Sequence, residues 1–137
     1  TNEIAQTVQV MSRQVDFIYV PLDNTIANAM QTVVKEANKA NIPVIPSVDT
    51  MVEQGGLATI GINQYQLGLQ SGKMAAELAS GKEKPETTPV YTFDQGDTVI
   101  NQSQADRLGI TIPQTMKEKA KIITDDSQQE TSKEDDK

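Results

Sequence analysis

Two short polar clusters hold the side chains best suited to recognition chemistry in this sequence: Asp23-Asn24-Thr25 and Ser47-Val48-Asp49-Thr50. Each follows a short apolar run, Phe17-Ile18-Tyr19-Val20 in the first case and Ile42-Pro43-Val44-Ile45 in the second. Runs of this length and composition suit strands, and Pro21 closes the first. Between them Ile26, Met30, Val33 or Val34, and Ala37 recur at helical spacing, with Gln31, Lys35, Glu36 and Lys39 on the other side. Asn41 and Pro43 stop that helix. Residues 15–51 therefore predict a strand–helix–strand unit with parallel strands and a right-handed crossover. Ligands of such sheets bind beyond the carboxyl ends of the strands, where both clusters fall. A plainer role stands beside this one. Asp23 or Asn24 can cap the helix that follows, and Asp49 can cap a turn over 50–54.

The bulk properties narrow the chemistry. The chain has 137 residues, enough for one domain with a real core. It has no cysteine and no histidine, which removes thiolate catalysis, disulfides, thiolate zinc sites and Ser-His-Asp chemistry. The formal charge is −7, and the run 125–137 supplies −4 of it with six acids, two lysines and no apolar side chain. That run reads as a disordered acidic tail; its acid pairs lack the spacing and turn glycine of a calcium loop. No basic face is visible, so nucleic acid is not expected as a partner. No apolar run approaches a membrane span. The opening Thr1-Asn2-Glu3 reads as a helix start, with Thr1 as cap and a helix over 2–13, rather than as a signal peptide. A chain that begins inside a helix–strand alternation is expected to be a piece of something longer.

After the second cluster, Gly55-Gly56 precedes a third strand over 57–62, and Asn63 can cap a long helix ended by Gly81. That helix carries Leu67, Met74 or Ala75, and Leu78 on one face. Gly68, Gly72 and Ala76 form a second stripe, whose small residues predict close packing against another backbone. A polar linker over 82–89 leads to an expected strand over 90–93, a turn over 94–97 and a short strand over 98–100. Asn101 then suits the cap of a helix ended by Gly109; this role is preferred to the glycosylation acceptor that Asn101-Gln102-Ser103 also spells. A helical turn over 114–120 leads to Lys121-Ile122-Ile123 before the tail. Tyr19 is expected in the core, and Tyr65 is the other aromatic near the polar turns. The fold class is α/β with a mainly parallel sheet.

The blocks YVPLDNTI, ANIPVIPSVDTMVEQGGLAT, GINQYQLGLQSGKMAAELASGK and INQSQADRLGITIP, in this order, resemble the C-terminal part of substrate-binding proteins of ABC importers. The branch is one that includes receptors for tryptophan and other aromatic amino acids. The resemblance covers residues 1 to about 124. It implies an incomplete, Rossmann-like lobe of the type I periplasmic-binding-protein fold. A complete member is about twice as long, with two α/β lobes around a ligand cleft and a lipoprotein signal in front. On that basis residues 1 to about 57 belong to the second lobe, the strand at 58–62 crosses a hinge, and the helix at 63–80 packs on the first lobe. A chain without that lobe is expected to expose the glycine stripe or to swap elements with a second copy.

The resemblance also assigns roles. An amino-acid receptor needs an acceptor for the α-ammonium and donors for the α-carboxylate. Asp23 suits the ammonium, and Asn24 and Thr25 suit the carboxylate. Asp49 stands where the family usually has an acid, and Asn63 at the hinge crossing either contacts ligand or caps its helix. The function implied is a non-enzymatic, extracytoplasmic solute receptor that needs no cofactor, binds an amino acid and delivers it to ABC permease subunits. The ligand-sensing domain of a transcription regulator shares the fold type and is the alternative. An α/β enzyme using Asp23 or Asp49 as a base lacks a nucleophile or cofactor partner.

Overall fold

The computed structural model describes residues 2–93 and 96–124, so Thr1, part of the turn at 94–97 and the acidic tail lie outside the described residues. The chain divides into two compact units, one formed by Thr1–Gly61 with Thr98–Lys137 and the other by Ile62–Asp97.

The first unit opens with helix α1 (Asn2–Met11), whose Val8 is buried. Strand β1 (Ile18–Val20) follows, then α2 (Asn24–Asn28), α3 (Met30–Lys39) and β2 (Val44–Pro46). β1 and β2 pair in parallel with Ile18 opposite Val44 and Val20 opposite Pro46, as the strand–helix–strand pattern requires. The ladder extends one bond past each strand: the Ile18 amide donates to Pro43 O at 2.9 Å and the Ser47 amide to Val20 O at 3.0 Å. Met30, Val33, Val34 and Ala37 of α3 pack with Ile18, Val20 and Val44 in one apolar cluster, joined by Val8 and Met51.

Three details depart from the sequence pattern. The single helix expected after Asp23 is two, because Ala29 leaves helical geometry (φ −109°, ψ 9°) and its carbonyl accepts the first bonds of α3, from the amides of Thr32 and Val33. Tyr19 is not in the core. Side chains of a strand alternate between its faces, and with Ile18 and Val20 turned inward Tyr19 is 59 % exposed. Glu36, assigned to the outer face of its helix, is instead buried under α1. Its carboxylate accepts from Gln9 Nε2 at 2.8 Å and from Lys39 Nζ at 2.7 and 2.8 Å.

Beyond β2, α4 (Asp49–Glu53) turns the chain back through Gly55 and Gly56 into β3 (Ala58–Gly61). Gly55 has φ +109°, and a Cβ there would stand 2.9 Å from Val34 Cγ1; one on Gly56 would stand 2.7 Å from Pro46 Cγ. Only glycines permit this turn to sit so close to the core.

The second unit is built on α5 (Gln64–Ala79), the long helix expected there, capped by Asn63 and followed by Gly81 at φ +72°. None of its described residues is buried. The close packing expected of its glycine stripe is absent among the described residues, since a Cβ on Gly68 or Gly72 would meet nothing within 4 Å. The strand expected over 90–93 is also absent; that segment is irregular, and the Tyr91 and Phe93 rings meet edge to face with centroids 5.2 Å apart.

The chain returns in β4 (Asp97–Asn101), followed by α6 (Gln102–Leu108), α7 (Gln114–Lys117) and β5 (Ala120–Ile123). β3, β4 and β5 form one sheet in that order, with β4 and β5 parallel and Asn101 opposite Ile123. The Lys121-Ile122-Ile123 run, not assigned as a strand from the sequence, completes this sheet. Leu57 links the two sheets, donating to Val44 O at 2.7 Å and accepting from the Asn101 amide at 2.9 Å. Asn101 is buried and caps α6: its Oδ1 accepts from the Gln104 amide at 2.9 Å while Nδ2 donates to Val52 O at 3.2 Å. With Nδ2 so engaged, the capping role is the one realised. Gly109 ends α6 at φ +68°, and the Ile110 amide reaches back to Ala105 O, as in a Schellman stop.

Two outcomes follow for stability. Met30 is fully buried at the centre of the larger cluster, so Met30→Ala should cost about 2–5 kcal/mol in urea unfolding; a cost near zero would place the core elsewhere. The hydrogen bonds from Lys39 and then Gln9 hold the Glu36 carboxyl below its ordinary value, against a smaller upward push from burial. A carboxyl lowered in the folded state stabilises above its unfolded-state pKa and loses that contribution as pH falls through its folded-state pKa. Glu36→Gln should therefore lower the melting temperature at neutral pH, and the gap to the parent should shrink on acidification. A gap independent of pH would exclude this linkage.

Candidate functional site

The parallel register of β1 and β2 brings the two polar clusters side by side. Val20 faces Pro46 at the last pair of the ladder, so Leu22 to Thr25 and Ser47 to Asp49 leave adjacent strand ends of one sheet. Residues 21–25 are all exposed, as are Asp49 and Thr50.

Asp23 caps α2. Its Oδ1 accepts from the Thr25 amide at 2.8 Å and the Ile26 amide at 3.0 Å, in the extended backbone (φ −143°, ψ 129°) usual for a cap. This occupies one carboxylate oxygen and leaves Oδ2 without a hydrogen bond among the described residues. The capping and recognition roles are thus compatible, because a carboxylate has two oxygens to offer. Asn24 is the first residue of α2; neither its side-chain amide nor the Thr25 hydroxyl is engaged among the described residues.

Asp49 begins α4 and spends Oδ1 on the Thr50 amide at 2.8 Å, while Val48 holds the capping position without a side-chain bond. At the end of β2 stands a group the sequence does not single out. The Ser47 hydroxyl oxygen is enclosed and has no hydrogen-bond partner among the described residues. A polar side chain in a turn is unremarkable as sequence, and only the burial of the oxygen sets it apart.

Asn63 lies in the other unit. Its Oδ1 accepts from the Gln66 amide at 3.1 Å, so it does cap α5, and its Nδ2 donates to Asp97 Oδ2 at 3.0 Å. Asp97 is a second residue without a sequence signal, since nothing in a turn acid announces a partner 34 positions away. Tyr65, near the start of α5, is exposed. The described residues contain no group of three acidic side chains placed to hold a metal ion, and no helix long and apolar enough to cross a membrane.

What this arrangement can do is hold a small polar ligand: two carboxylate oxygens, a primary amide and a hydroxyl stand exposed at neighbouring strand ends.

Comparison with known proteins places these features. The family model for ABC transporter substrate-binding proteins matches residues 1–123. A tyrosine-binding protein of Clostridioides difficile (strain R20291) is 36 % identical over 102 residues, covering 74 % of this chain and 29 % of that protein. Among solved structures, a Streptococcus pneumoniae ABC domain in complex with L-Trp superposes with a TM-score of 0.78 at 47 % identity, covering 89 % of this chain and 41 % of its own. A ligand-free, open substrate-binding protein with adhesive properties from Clostridium difficile gives 0.71 at 35 % identity, covering 90 % and 41 %. A conserved domain protein of Vibrio cholerae O1 biovar El Tor gives 0.75 at 32 % identity, with the same two coverages. The chain spans less than half the length of each of these relatives. Its parallel strand–helix–strand unit, its strand-end polar turns and the match over nearly all of its described length have one account: the chain belongs to the ABC transporter substrate-binding protein family.

Proposed function

We propose that this chain forms part of an extracytoplasmic receptor that binds an aromatic amino acid and delivers it to the permease of an ABC importer, without chemical turnover. The observation that carries the reading is the pairing of β1 with β2, which sets two polar turns side by side at the carboxyl ends of parallel strands. The unengaged oxygens of Asp23 and Asp49 suit an α-ammonium group. Asn24 and Thr25 suit the α-carboxylate as donors. Asn63 keeps one amide hydrogen and one oxygen lone pair for a ligand after its two hydrogen bonds are made. The names of two relatives, one bound to L-Trp and one a tyrosine-binding protein, direct the choice to aromatic side chains.

The same reading divides the chain between two lobes. Residues 1–57 belong to the second lobe, and the chain crosses at β3 and returns near residue 90. In the complete receptor α5 packs on the first lobe through Gly68, Gly72 and Ala76. The separation of Ile62–Asp97 as its own compact unit supports this division, as does the open space over the two glycines.

Titration calorimetry on the full-length receptor tests the proposal. L-Trp or L-Tyr should bind, and aliphatic amino acids more weakly. Asn24→Ala should weaken binding by about 1–3 kcal/mol, the cost of leaving a charged ligand group unpaired. Asp23→Asn keeps the capping oxygen but removes the charge, and should weaken binding while leaving the melting temperature nearly unchanged. Heat of binding from neither amino acid would sink the reading; full affinity in both variants would move the site elsewhere.

A further inference from the structure

Asn63 and Asp97 occupy the two ends of the second compact unit, which the chain enters at Ile62 and leaves at Asp97. The strands leading in and out, β3 and β4, are hydrogen-bonded neighbours in one sheet. The Asn63 amide is held at both of its polar atoms. Its orientation has one consistent assignment: the Gln66 N–H needs the amide oxygen as acceptor, and the Asp97 carboxylate needs the amide nitrogen as donor. The bond to Asp97 therefore closes a loop of 34 positions at its base while the other half of the same amide starts α5. Ordering such a loop carries an entropic cost that a contact at its ends offsets.

We propose that Asp97 is a positioning residue that clasps Asn63 across the base of the Ile62–Asp97 unit. It fixes both the first turn of α5 and the direction of the Asn63 groups that remain available. Asp97 touches no ligand in this role. On the receptor reading above, its loss lowers affinity by loosening Asn63 and the paired crossings, because fewer molecules then occupy the binding-competent arrangement.

Amide hydrogen exchange of the ligand-free, full-length receptor tests the clasp without reference to any ligand. In Asp97→Ala, exchange at the Gln66 and Leu67 amides should rise roughly two- to tenfold, the range set by one exposed hydrogen bond, while the Ile18 and Ser47 amides of the β1–β2 ladder stay as in the parent. Asp97→Asn retains an acceptor oxygen and should restore most of the protection. In the exchanged pair Asn63→Asp/Asp97→Asn the donor and acceptor trade places, and protection should exceed that of Asn63→Asp alone, which sets two carboxylates together. Parent-like exchange in Asp97→Ala, or no rescue in the exchanged pair, overturns the clasp whatever the ligand result. Calorimetry with L-Trp and L-Tyr supplies the second arm: Asp97→Ala should weaken binding of each by roughly two- to tenfold, with recovery in Asp97→Asn. Exchange that responds as stated, in a parent that binds neither amino acid, would retain the clasp and reject the ligand class. Lost protection with unchanged affinity would confine Asp97 to the local fold and overturn its part in binding.

Discussion

Ile18, Val20 and Val44 can be buried on α3 in one parallel register only, and that register decides what stands at the strand ends. A slip of β1 by one residue would turn Tyr19 into the core and carry Ile18 and Val20 out to solvent. Met30, Val33 and Ala37 fix the other side of the same contact, and α1 covers it through Val8. Because the two strands end together at Val20 and Pro46, Asp23 and Asp49 begin their turns from neighbouring positions. The polar site is thus a consequence of apolar packing beneath it.

The caps show how one residue serves two ends. Asp23, Asn63 and Asn101 each use one side-chain oxygen to accept backbone N–H groups at the start of a helix, two at Asp23 and one at each asparagine. What the rest of the side chain does depends on burial. Asn101 is buried, so its Nδ2 must find a partner and does so at Val52 O. Asp23 is exposed, and its second oxygen is left to water or to a ligand. Capping is therefore no argument against recognition at Asp23, whereas at Asn101 both polar atoms are bonded within the fold and the side chain is buried.

The second unit has a different character. α5 has a good cap and a clear stop, yet no described side chain on it is buried. A helix of this length keeps its shape largely through packing of one face. Among the described residues that packing is missing, and a Cβ on Gly68 or Gly72 would meet nothing within 4 Å.

The local chemistry of the sequence was sufficient for most elements. Helical spacing, Asn and Asp caps, and glycines at Gly81 and Gly109 mark the elements because each depends on residues a few positions apart. The family was legible for the same reason, through ordered blocks of residues. Tertiary structure alone decided the long-range outcomes. Glu36 looks solvent-facing until α1 supplies Gln9; Lys121 to Ile123 becomes a strand only because β4 offers a parallel edge; and residues 90–93, equally suited to a strand, find none among the described residues. Ser47 and Asp97 belong with these. An enclosed hydroxyl and a carboxylate paired across 34 positions are properties of space, and no local pattern encodes them.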